Sequence, residues 1–464
     1  MYAFAGDGSR ESTLLSSPPP ANAVPTDPEA QLTSEQGKSY YDRVVTGDWG
    51  GLRTRLHNWG VDFNLNYFGE MAGNIYGGKD NFSGYAKGLG QSWAYADQAL
   101  FGVDLDFQKL VGWEGGSLQA YFTDRNGDSL GQYINPDPIQ PYQAVFGGGQ
   151  IWRITTLWFK QKLFNDVLEW KAGLIPVNQE FGNFYHFPFE NVTFNAGTTG
   201  NVAGYSQFNW PVSQWVTVLK INVTRSFAVS IGVFAFNNYW ISENYYLRVD
   251  NPGGTSGANI PVEIDWNPKL HIFGKDLPGN WNFTVYGNTN NQETTGAAKS
   301  WLGSAPGVPT GLLGPSHFTG DYGYAASIWQ QVTAPDPNRP NTGLTLLASN
   351  TWVDPRTAFQ NFQAFGGAYY WGPWSKRPYD SCAIAWGYNH VAGAVRAAQE
   401  QYIATHPNSG YAVQSNEFAG EIFYSFDVYH GWNIQPDLQY NIHPGGYIHA
   451  TNQLIFGVQL NVPL

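Results

Sequence analysis

Charge is scarce in this chain of 464 residues. Asp, Glu, Lys and Arg make up 13% of it, about half the usual share of roughly 25%. With 54 Gly and 28 Pro as well, that scarcity excludes a coiled coil or helical bundle, which is built from Glu, Lys and other helix formers. The charge present is acidic, 36 Asp and Glu against 24 Lys and Arg, net −12. Nucleic acid and anionic membrane surfaces need clustered cations, so neither is an expected partner. Cysteine is nearly absent: Cys382 stands alone. No disulfide forms within such a chain and no cysteine metal site is available. Cys382 reads as a small apolar wall residue.

Long hydrophobic runs are missing too. No stretch reaches the ~18–20 apolar residues that a transmembrane helix needs. The longest, Phe227 to Phe236, is strand-like. Met1 to Pro20 shows no basic segment followed by an apolar one, so no secretory leader is visible, and the expectation is either no export or a leader already removed. A mean hydropathy of −0.34 looks soluble. One membrane class passes both tests: the transmembrane β-barrel, whose strands are short and half polar.

Aromatics are plentiful, with 19 Trp, 28 Tyr and 29 Phe, which excludes a disordered chain. Residues 1–46 differ from the rest. Pro18, Pro19, Pro20, Pro25 and Pro28 among Ser, Thr, Glu and Gln give a segment unable to bury a core, read as a flexible extension. Residues 47–60 follow as a short helix over Trp49–Trp59, with Asp48 as its cap and Gly60 as its stop. From Val61 the period changes to two. Phe63, Leu65 and Tyr67 alternate with Asp62, Asn64 and Asn66; Phe101, Val103, Leu105 and Phe107 alternate with Asp104, Asp106 and Gln108. Sixteen such runs reach to Leu464, an even number. Short turns, such as 224–226 and Lys275–Gly279, alternate with long connections, among them 72–96, 126–149, 176–213 and 291–320. Long structureless loops are uncommon in compact soluble domains. Long loops at one rim and tight turns at the other mark an outer-membrane barrel. The expected fold is therefore all-β: one 16-stranded antiparallel transmembrane β-barrel over 61–464, with a short N-terminal helix at its periplasmic mouth. The connection 390–414 carries a further short helix near Ala392–Tyr402.

Gly47-Asp-Trp-Gly-Gly-Leu-Arg53 resembles the N-terminal signature of the carbohydrate-selective porins of the OprB family. The resemblance continues at Thr156–Gln161 and Gly173–Phe181, and is strongest at Gly420–Phe426 followed by Ile434–Gly445. It covers roughly 47–464. It implies a sixteen-stranded outer-membrane barrel that admits glucose and related small neutral sugars by diffusion, with outer-membrane lipid around it and a homo-oligomer left open. The chain departs from the family pattern at Thr156 and Lys160, where an acidic residue is usual, and at Leu464, where Phe or Trp is usual.

The polar face of the strands is where function would reside. Glu70, Asp104, Asp106, Lys160, Lys171, Lys220, Glu421 and Asp437 fall on it, with Tyr121 and Trp158 as inward aromatics and Arg125 and Glu180 at strand-to-loop junctions. These are the pore-lining candidates. Sugar hydroxyls need donors and acceptors, and sugar ring faces stack on aromatics. Loops 126–149 and 176–213 are placed to narrow the pore. No cofactor, catalytic set or metal site is expected. Gly-x-Ser-x-Gly, Walker and His-Glu-x-x-His sequences do not occur, Phe146–Gln150 lacks the Lys-Ser/Thr of a phosphate loop, and His443 and His449 lack a third ligand. Two alternatives stay open: a general or other-solute porin, and a soluble carbohydrate-active β-protein, because glycoside hydrolysis needs two carboxylates roughly 5–10 Å apart and the polar-face acids are numerous.

Overall fold

The computed structural model describes residues 41, 44–80, 92–182, 188–195, 202, 208–242, 245–251, 254–293, 317–408, 410–429 and 431–464. The expected extension 1–46 therefore lies mostly outside the described residues. The chain forms a closed barrel of sixteen antiparallel strands. They are β1 (Val61–Tyr76), β2 (Trp93–Asp106), β3 (Gly116–Gly127), β4 (Trp152–Leu163), β5 (Leu168–Ile175), β6 (Gln214–Thr224), β7 (Phe227–Phe236) and β8 (Gly257–Trp266). Then come β9 (Lys275–Glu293), β10 (His317–Gln331), β11 (Gly343–Val353), β12 (Gln360–Trp371), β13 (Ser381–Val391), β14 (Asn416–Tyr429), β15 (Trp432–Ile442) and β16 (Gln453–Pro463). Each strand pairs with its sequence neighbours, and β16 closes the ring on β1, from Asn66↔Pro463 to Tyr76↔Leu454. Closure leaves no free edge, so the backbone pairs from strand to strand around the ring, as lipid demands.

The two faces are decided by burial. On β2, Phe101 is 41% exposed while Ala94, Ala96 and Leu100 are buried; on β14, Ile422 is 52% exposed while Glu421 and Phe423 are buried. Outward positions are Phe, Leu, Ile and Val, inward ones largely polar or small. A one-residue slip would invert a whole strand, so this agreement fixes the register. At the short-turn rim, aromatic side chains form a surface cluster. Phe107 meets Trp113 at 5.8 Å, Trp113 meets Phe159 at 5.3 Å, and Phe159 meets Trp170 at 6.1 Å. Such a band is what an interfacial girdle requires.

The helix at 49–59 is kinked: a 3-10 turn, Trp49–Gly51, leads into an α-helix, Leu52–Trp59. Asp48 still caps it, its carboxylate accepting from the Thr54 N–H at 2.8 Å and the Thr54 hydroxyl at 2.8 Å. Gly60 ends it at φ 91. Arg53 explains why the motif around it lies against the barrel seam. Its guanidinium donates to Phe63 O at 2.9 Å on β1, to Leu464 O at 3.2 Å beyond β16, and to the Thr46 hydroxyl at 3.1 Å.

Several boundaries differ from the sequence reading. β2 starts at Trp93 and stops at Asp106, because Phe107–Val111 coils into a helical turn; the Asp106 carboxylate accepts from the Gln108 and Lys109 N–H groups at its start. The run 261–273 breaks after Trp266, where Pro268 has no N–H to give; Lys269–Ile272 then pairs with Lys275–Pro278 beyond the rim. Lys275–Gly279 is thus strand, and the reversal sits at Phe273 and Gly274, with φ 48 and φ 78. The late helix runs Gly393–Thr405.

Candidate functional site

Long connections stand at one rim and short turns at the other, and two of the long ones fold inward. In the first, Leu130, Ile134, Tyr142 and Val145 pack on Phe68, Ala72, Ala94, Leu100 and Ile455 of β1, β2 and β16. In the second, Val177 and Phe181 pack on Trp158, Val216 and Phe234, and its tip drives Phe189 and Phe194 against the inner face of β10–β14. Phe189 meets Phe423 at 5.2 Å and Phe194 meets Phe365 at 5.7 Å.

A loop inside a barrel brings backbone N–H groups that must be paired. Wall carboxylates accept them. Glu70 takes the Val145 N–H at 2.7 Å. Glu417 takes Ile139 at 2.9 Å and Gly445 at 2.8 Å. Glu421 takes Glu190 and Asn191, each at 2.8 Å. Glu263 takes Gly182 at 2.7 Å. Amides complete the seat: Gln439 accepts from Asn191 at 3.0 Å, and Gln435 donates to Pro188 O.

The tip carries one group at odds with its surroundings. Glu190 is fully buried and lies against Asp437, and among the described residues no N–H or O–H donor reaches either Glu190 oxygen. Burial pushes its pKa well up, and the charges of Asp437 and Glu70 push the same way. Two carboxyl groups so placed repel when both are charged, which favours the protonated form of Glu190.

On β2–β5 the inner wall is polar and ordered. Asp104 accepts from Asn64 at 2.6 Å, the Tyr121 hydroxyl at 2.7 Å and Gln119 at 2.8 Å. The Gln119 oxygen accepts from the Trp158 indole N–H at 3.1 Å and the Thr156 hydroxyl at 3.1 Å. Lys171 Nζ lies 4.6 Å from the Trp158 ring centroid and pairs with Glu180 at 2.6 Å; Lys160 Nζ lies 5.7 Å from the same ring. The Tyr121 ring fits because its cross-strand neighbour is Gly102, where a Cβ would collide with it.

The sequence candidates thus divide. Asp104, Tyr121, Trp158, Lys160, Lys171 and Glu180 come together in one network across β2–β5. Glu70, Glu421 and Asp437 gather instead around the inserted loops. Arg125 donates to Gln98 at 2.9 Å and to Gly147 O at 2.9 Å, holding the first loop. Lys220 is half-buried opposite Glu169 on β5. Asp106 caps the turn after β2 at the rim, away from that network, because the strand ends there. The sequence reading missed Glu417, Glu263, Gln119 and Gln439. Glu417 stands one alternation from Ala419 and two from Glu421, and Gln119 one from Tyr121, so period two already placed them on the same face.

A closed sixteen-stranded barrel with a lipid-type exterior, a polar interior and inserted loops defines an outer-membrane porin. The description "carbohydrate-selective porin, OprB family" fits residues 90–464. Porin B of Pseudomonas aeruginosa is 33% identical over 429 residues, 90% of each chain, and the putative porin QuiX of Acinetobacter baylyi is 25% identical over 438 residues, 90% of this chain and 92% of its own. The high-pH structure of Pseudomonas putida OprB superposes with a TM-score of 0.82 at 30% identity, covering 93% of this chain and 100% of that one. The chain belongs to the OprB family of carbohydrate-selective porins, and it is a sugar porin of the outer membrane.

Proposed function

We propose that glucose and related small neutral sugars diffuse passively along the β2–β5 wall, past a constriction made by the two inserted loops. The observation carrying this reading is the Asp104–Gln119–Trp158–Lys171–Glu180 network. It sets carboxylate, amide, hydroxyl and ammonium groups beside an indole, so a sugar exchanges its water partners one at a time without being held tightly. Asp104 and Glu180 are part-exposed and meet the solute, with Lys220 further along the same wall; Tyr121, Trp158, Lys160 and Lys171 are buried behind them and set their positions. Glu70, Arg125, Glu421 and Asp437 shape the path by seating the loops; Asp106 sets the turn. The fold and family are those of a channel, and the protein acts without chemistry on its solute. Acidic groups outnumber basic ones in the whole chain, so the open pore prefers cations.

The test is sugar block of ion current in a planar bilayer. Glucose reduces the current saturably in the native chain, and Trp158→Ala raises the glucose concentration needed for half block. Unaltered block in Trp158→Ala moves the contact elsewhere on the wall. Block by a charged solute but not by glucose favours a general porin.

A further inference from the structure

The outer face of β11–β16 is not smooth. On the rung Leu344–Tyr370–Cys382–Tyr424 and the rung above it, Ala368–Ile384–Ile422–Leu438–Phe456, small side chains sit between large ones. Pro436 adds to the depression. It has no N–H, and the β14–β15 ladder skips from Phe423↔Asp437 to Phe426↔Ile434 around it. The result is an almost wholly apolar groove of about 570 Å³, floored by Ala368, Cys382 and Pro436 and walled by Leu344, Ile384 and Tyr424.

The groove has one polar end. The Tyr424 hydroxyl, on its wall, donates to Asp380 at 2.8 Å, and Asp380 accepts from Arg377, whose side chain stays 47% exposed. Arg377 belongs to the turn between β12 and β13, at the short-turn rim, and Lys376 and Trp374 are exposed beside it. An apolar slot thus runs within the lipid-facing belt and ends at two cations and an aromatic at interfacial height.

We infer that this groove is a specific site for a phospholipid of the inner leaflet, its acyl chain lying across β11–β16 and its phosphate held by Arg377 and Lys376. The chemistry is that of an anionic headgroup: Asp380 and the Asp427 carbonyl hold the Nε and Nη2 of Arg377, its Nη1 and the Lys376 ammonium take the phosphate, and the slot removes chain methylenes from a mobile annulus. A second copy of the chain is the other occupant an apolar belt could take. A two-fold contact through this face would bring Lys376 and Arg377 of one copy toward those of the other, with repulsion at the rim.

The test uses the full chain, purified in mild detergent and titrated with phosphatidylglycerol, with bound lipid counted by native mass spectrometry. The native chain retains phosphatidylglycerol. Arg377→Gln, at an exposed rim position, lowers the affinity about fivefold, the weight of one basic residue at a lipid surface. Ala368→Phe fills the slot and abolishes retention. Both variants keep heat-modifiable migration and native conductance. Equal retention by all three proteins overturns the site. So does a disulfide between the Cys382 residues of two copies on mild oxidation in the native membrane, which would show that this face is covered by protein.

Discussion

Replacing Glu421 by Ala opens the pore by releasing the tip of the second inserted loop. Glu421 accepts the N–H groups of Glu190 and Asn191 at 2.8 Å each, inside the barrel and out of reach of bulk water. Leaving a buried N–H without its acceptor costs roughly 1–3 kcal/mol, so losing both weakens the seat by about 2–6 kcal/mol. Even the lower figure shifts a two-state tip about thirtyfold toward release. Phe189, Phe194 and Gln435 still oppose that release. Glu421→Gln keeps one acceptor oxygen and turns a donor toward the other N–H, so it loses about half. Single-channel conductance should therefore rise in the order native, Glu421→Gln, Glu421→Ala, while heat-modifiable migration shows the barrel intact. Equal conductance in all three, with the barrel intact, would refute the view that wall carboxylates seat the constriction.

Other outcomes follow from the same contacts. Arg53→Ala removes the bonds from the helix to Phe63 O and Leu464 O; it should destabilise the seam by about 3 kcal/mol, lowering the temperature of the heat-modifiable shift, and Lys should not rescue it, because an ammonium lacks the planar fork. Glu190 has a raised pKa, so the tip is fully seated below the ordinary carboxylate range of about 4–5 and loosens as pH rises through the raised value. Conductance should rise with pH in the native chain and stay flat in Glu190→Gln, which remains neutral. Gly102→Ala should push Tyr121 off Asp104 and alter both glucose block and cation preference. Lys171→Glu should strengthen the preference for cations in reversal-potential measurements.

The barrel was legible because its strands obey one rule. Each must face lipid on one side and a polar interior on the other, so Phe101, Val103 and Leu105 against Asp104 announce strand and face together. The strand ends were less legible. Asp106 and Phe107 continue the alternation perfectly, but the Asp106 carboxylate does better capping the next turn, and nothing in a period-two pattern reports that choice. Pro268 did carry a signal for the break after Trp266. The site was half legible. Alternation placed Glu70, Glu421 and Asp437 inside, but which inward residues meet solute depends on where the loops go. Their anchors are backbone N–H groups, which every residue possesses and no sequence marks. Phe189 and Phe194 were the available hint: two aromatics in a long loop need an apolar surface, and the inner positions Phe365, Tyr369 and Phe423 supply one.

Ion current through single channels in a planar bilayer, recorded with rising glucose, tests the sugar path most directly. The account predicts a saturable fall in current that Trp158→Ala shifts to higher glucose, with the current restored when glucose is washed out. Current indifferent to glucose but blocked by a charged solute would contradict it.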